Sequence, residues 1–92
     1  MSSSEFLVFQ LRITNSRTHK IDFVLEPWGE IYQMAIGDCF DVSILAPNPG
    51  TPDIFCEDQS ITLYCWSGST VVLKNGDVEL GAADEYRTPV PG

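Results

Sequence analysis

The chain has a single histidine, His19, among 92 residues, and that shortage closes most metal chemistry. A blue-copper centre needs two imidazoles and a thiolate, so it cannot be built within one chain, and a cupin-type cluster of histidines fails for the same reason. Cys39, Cys56 and Cys65 are an odd number without CxxC spacing. They write neither a disulfide framework nor a zinc knuckle, and they read as buried free thiols of a reducing compartment. Cysteine–histidine catalysis would need His19 beside one of them, yet His19 lies in the polar stretch Asn15–Lys20. The carboxylate pairs Glu26/Glu30 and Glu57/Asp58 flank turns, where solvated acids are ordinary. Ser67-Gly68-Ser69 and Asn75-Gly76 are too short to cradle a phosphate, and neither opens a helix. A calcium-binding loop of twelve residues is also missing. The chain therefore reads as a non-enzyme, with no catalytic residue, no metal and no cofactor.

Long apolar runs are missing too. Phe6–Phe9 is interrupted by Gln10 and Arg12, well short of a membrane span or the apolar part of a secretion signal. Met1–Glu5 lacks a positive stretch, and neither end carries a lipidation signature. The expectation is a cytoplasmic protein without a membrane contact. Bases are few: thirteen acids face five lysines and arginines, for a net charge of −8. That balance argues against nucleic acid, because phosphate contacts require positive side chains. The deficit is also placed unevenly. Residues 1–20 carry a net +2, residues 74–92 a net −2, and residues 21–73 hold eight acids and no base.

What the chain does have is alternation. A hydrophobic fraction of 43% suffices for one modest core and is too high for disorder. No long segment shows a helical period, and short runs with a period of two are separated by turn residues. Leu7, Phe9, Leu11 and Ile13 share one face of a strand over Glu5–Thr14. Ile21–Leu25, Glu30–Ile36 and Cys39–Leu45 follow, the second aligning Tyr32, Met34 and Ile36. Ala46–Pro52, with three prolines, is a crossing loop. Asp53–Glu57 and Ser60–Trp66 make a hairpin around Asp58-Gln59. Thr70–Lys74 leads into Asn75-Gly76, a dipeptide that predicts a two-residue type I′ hairpin. The fold class is all-β, a single small antiparallel sandwich or partly open barrel of seven or eight short strands. Residues 1–4 form a disordered start, 5–80 the β domain, and 81–92 a tail with at most one helical turn at Ala82–Tyr86 and a frayed end from Thr88.

The aromatics supply the candidate binding residues. Trp28 sits in the turn Glu26-Pro27-Trp28-Gly29 and Trp66 ends a strand, so each ring is either a plug over the core or a displayed anchor. Tyr32 and Tyr64 are expected to bury their rings. Glu26, Trp28, Glu30, Tyr32 and Trp66 are thus the positions to test for binding. The succession Leu25-Glu26-Pro27-Trp28-Gly29-Glu30-Ile31-Tyr32, Gly37-Asp38, Trp66-Ser67-Gly68-Ser69 and Asn75-Gly76 resembles a set of small bacterial all-β proteins of unassigned function. Their pattern runs EPWGE-x-Y, a glycine-acidic turn, W-x-G-S and a closing NG hairpin, although Ser67 stands where they carry a proline. The resemblance covers about residues 5–80 and implies a compact β domain without assigning an activity.

The functional expectation is a non-enzymatic protein-interaction domain of the bacterial cytoplasm, acting through a sheet edge, the Trp28 turn or an acidic face towards a partner with a basic surface. Two alternatives are a small-molecule-binding sandwich with Trp28 and Trp66 lining a cleft, and an acidic immunity-like mimic that neutralises a basic partner. Edge strands invite a second copy and the charge resists it, so the oligomeric state stays open.

Overall fold

The alternating runs become eight strands in a computed structural model that describes residues 7–80 and Val90. They are β1 Leu7–Thr14, β2 Ile21–Glu26, β3 Glu30–Met34, β4 Cys39–Ala46, β5 Asp53–Cys56, β6 Ser60–Tyr64, β7 Thr70–Asn75 and β8 Val78–Leu80. Two four-stranded sheets result, β1-β4-β7-β8 and β3-β2-β6-β5. The all-β sandwich class expected from the alternation is the one observed. Among the described residues no helix is long and apolar enough to cross a membrane.

The core lies between the sheets because the inner strands β2, β4, β6 and β7 turn their alternate apolar residues inward. The first sheet contributes Phe40, Val42, Ile44, Val71 and Leu73; the second contributes Ile21, Phe23, Leu25, Met34, Ile61 and Leu63. Phe23 and Phe40 meet edge to face, with centroids 5.7 Å apart and planes at 85°. Both are completely or almost completely buried, and burying a side chain of that size contributes roughly 1.5–3 kcal/mol. Phe9, Leu11 and Ile13 of β1 close the core from the edge.

All neighbouring strands run antiparallel except β2 and β6, which pair in parallel from Asp22↔Ser60 to Glu26↔Tyr64. After β3 the chain leaves the second sheet for β4. It returns to that sheet through β5, whose hairpin partner β6 then lies beside β2 in the same direction. Local alternation carries no information about such a long-range pairing, the one parallel neighbour pair described in an otherwise antiparallel sandwich.

Four local readings change. The β7–β8 turn lies one residue later than Asn75-Gly76. Asn75 pairs with Val78, so Gly76 and Asp77 form the loop. Gly76 has φ of +64° and among the described residues no non-glycine residue has positive φ, which excludes type I′ and matches the signs of type II′. Second, β3 stops at Met34 and Ile36 is 64% exposed instead of aligned with Tyr32. The amide N–H of Ala35 donates to Asp38 Oδ2 at 2.8 Å and that of Asp38 donates to the Ala35 carbonyl at 3.0 Å, closing a turn that puts Ile36 at its tip. Third, none of the cysteines is fully buried, and Cys56 is exposed because β5 is an edge strand. Fourth, Val90 is tied down within the expected frayed end: it exchanges backbone hydrogen bonds with Gly68 and Ser69 at 2.8 and 3.0 Å. The readings for residues 1–4 and for Ala82–Tyr86 lie outside the described residues.

Candidate functional site

The two sheets carry their charge differently. On the outer face of the first, register sets Arg12 beside Asp41, Asp41 beside Lys74 and Lys74 beside Glu79. The signs alternate across four strands, and Arg12 Nε donates to Asp41 Oδ1 at 2.8 Å. That hydrogen bond and the carboxylate's charge raise the Arg12 pKa above its ordinary value. Arg12, Asp41 and Lys74 line a shallow cavity of about 680 Å³ whose other end holds Val8, Leu45 and Val72.

The second sheet has no lysine or arginine in any of its four strands. Since Phe23, Leu25, Ile61 and Leu63 point inward, the intervening residues of β2 and β6 point outward. In register they give one row of Ile31, Val24, Thr62 and Phe55 and a second of Glu26, Tyr64 and Asp53. Ile31 is 63% exposed, Phe55 54% and Tyr64 43%. Phe55 and Tyr64 meet edge to face at 5.7 Å and 84°. The first row therefore crosses the whole face with exposed apolar residues at its two ends, Ile31 and Phe55, and half-buried Val24 and Thr62 between them, flanked by Asp22, Glu26, Asp53 and Glu57. Glu26, Phe55, Glu57, Thr62 and Tyr64 line an open surface depression of about 280 Å³. Among the described residues, Arg17 of the β1–β2 loop brings a base to this end of the molecule. Its Nη1 donates to the backbone carbonyls of Glu57 and Asp58, the latter at 2.9 Å.

Of the five residues singled out by sequence, only Glu26 belongs to this face. Glu30 pairs in register with the inward-facing Leu25, and its Oε1 accepts a hydrogen bond from the Tyr32 hydroxyl at the β3 edge. Trp28 is half-buried against the core. Trp66 also packs there: it meets Phe9 edge to face at 5.6 Å, and its Nε1 donates to the Asn48 carbonyl at 3.1 Å. Gly50 lies directly on the indole, where a Cβ would overlap Cγ, Cδ2 and Cε2. Each tryptophan therefore packs as a cover over the sandwich, and neither lines either cavity.

Ile31, Phe55 and Tyr64 were missed by sequence reasoning. The signal existed for Ile31 and Tyr64, which fall out of phase with the inward residues of their own strands. It was ambiguous for Phe55, because Ile54 and Phe55 are adjacent and either could face the core. Tyr64, expected to bury its ring, points away from the core because it follows Leu63. Among the described residues no group of three or more histidines, cysteines and acids is placed to hold a metal ion. No model of a known protein family, no curated protein and no solved structure matches the chain.

Proposed function

We propose that this chain is a non-enzymatic protein-interaction domain whose contact surface is the outer face of β3-β2-β6-β5, and that its partner presents apolar side chains framed by basic ones. The observation that carries the reading is the row Ile31–Val24–Thr62–Phe55, with Ile31 and Phe55 exposed at its ends, on a sheet whose strands hold acids and no base. Interfaces combine a dry apolar centre with a polar rim, and a rim of one sign steers an oppositely charged partner. A reducing bacterial cytoplasm fits three free thiols and the EPWGE resemblance.

The test is affinity capture from the native host with three forms of the chain, at about 50 and 500 mM salt. The Ile31→Ala/Phe55→Ala double variant should lose a partner retained by wild type, with affinity lower by about 30-fold or more, the scale of an interface hot spot. Val8→Ala/Val72→Ala, on the opposite sheet, should retain it. High salt should weaken capture as screening removes the acidic field. Loss of the partner only in the Val8/Val72 variant would assign the contact to the other face and reject this one.

A further inference from the structure

We infer that the corner between Phe55 and Tyr64 is a subsite for one cationic side chain, a lysine or arginine of the partner; this rests on the docking reading and sharpens it. The two ring planes stand at 84° with centroids 5.7 Å apart, so they form two walls rather than a stacked pair. Both rings remain about half exposed, which leaves π surface open to a ligand. The open depression of about 280 Å³ between them has room for a long side chain with its hydration. Its remaining lining is Glu26, Glu57 and Thr62: two carboxylates that can only accept hydrogen bonds and one hydroxyl. A ring face attracts a cation through its quadrupole, and the carboxylates add charge of the same sense. Neutral or anionic ligands have no comparable complement here.

Among the described residues, the base nearest this position is engaged elsewhere. Arg17 directs Nη1 to the carbonyl oxygens of Glu57 and Asp58, on the backbone of the β5–β6 turn. Ser60 Oγ donates to Glu57 Oε1 at 3.4 Å. Phe55 and Thr62 are register partners, and Glu26 and Tyr64 are register partners, so three rigid strands hold four of the five lining residues.

The full 92-residue chain can be titrated with N-acetyl-arginine amide, N-acetyl-lysine amide and N-acetyl-citrulline amide at constant ionic strength, followed by nuclear magnetic resonance. The two cationic probes should give saturable shifts centred on Phe55, Tyr64, Glu26 and Glu57, with the neutral citrulline probe at least fivefold weaker. Preference between arginine and lysine then identifies the cation. Phe55→Leu keeps an apolar residue at an exposed position and should weaken both cationic probes at least fivefold, with unchanged chemical-shift dispersion elsewhere. Glu26→Gln/Glu57→Gln should weaken them as well. Equal binding of citrulline, or binding unchanged in Phe55→Leu, would overturn the subsite. So would shifts spread without saturation over Asp22, Asp53 and Asp58. If no probe binds while Ile31→Ala/Phe55→Ala still abolishes partner capture, the subsite fails and the docking face stands.

Discussion

Asn15 shows how a polar residue in a polar stretch can be among the most buried in a molecule. It is 1% exposed, and its Nδ2 donates to the carbonyls of His19, Met34 and Ala35 at 3.0 to 3.2 Å. Its Oδ1 accepts from the Arg17 amide at 3.0 Å. Its backbone is bonded to Asp38 and Gly37 at 2.9 and 3.0 Å. One side chain thereby joins the β1–β2 loop to the β3–β4 turn and satisfies the buried Met34 carbonyl together with two part-buried ones. Asn15→Ala should cost about 2–4 kcal/mol in urea unfolding, because it strands those acceptors and opens a cavity. Asn15→Asp should cost at least as much at neutral pH, since it points a carboxylate at three carbonyl oxygens. A loss below about 0.5 kcal/mol in both variants would show that the loop finds other partners. The stretch Asn15–Lys20 was legible as a loop, but its pinning residue was not, because a hydrogen-bond hub is defined by carbonyls twenty positions away.

Elements were more legible than their connections. Alternation placed the strands to within a residue or two, and the Glu26–Gly29 turn joins β2 to β3 as its composition implied. The β7–β8 hairpin was foreseen and its turn was misplaced by one residue, since Asn-Gly favours type I′ only when register puts both residues in the loop. Here Asn75 is a strand residue, paired with Phe40 on one side and Val78 on the other. Substitutions separate the two turns. Asn75→Thr should change stability by no more than about 0.5 kcal/mol, because a β-branched residue suits a strand and would not tolerate positive φ. Gly76→Ala should cost about 1–2 kcal/mol, because φ of +64° is strained for any residue with a Cβ. Thermal melts of the two variants give the comparison, and a larger loss in Asn75→Thr would restore the type I′ turn.

At the scale of the whole molecule, the base-free run of residues 21–73 was visible in the sequence, but its meaning depended on topology. The run includes every strand of the second sheet, and also β4 and four of the six residues of β7 in the first. Sheet order divides these contributions. Asp41 of β4 falls between Arg12 and Lys74 and is neutralised there, whereas Asp22, Glu26 and Asp53 share a sheet that offers them no base. The like charges on that face repel, so folding should work against a field that salt screens within about 10 Å at 0.1 M ionic strength. The melting temperature should therefore rise by a few degrees between about 10 and 300 mM sodium chloride. Asp22→Asn/Asp53→Asn removes two of the repelling charges from outward positions without touching the core. That variant should melt higher than wild type at low salt and show a smaller rise, the two curves converging at high salt. A melting temperature that falls with salt would mean that the Arg12–Asp41–Lys74–Glu79 row outweighs the repulsion. The acidic face would then be a neutral element of stability instead of a surface held in readiness for a basic partner.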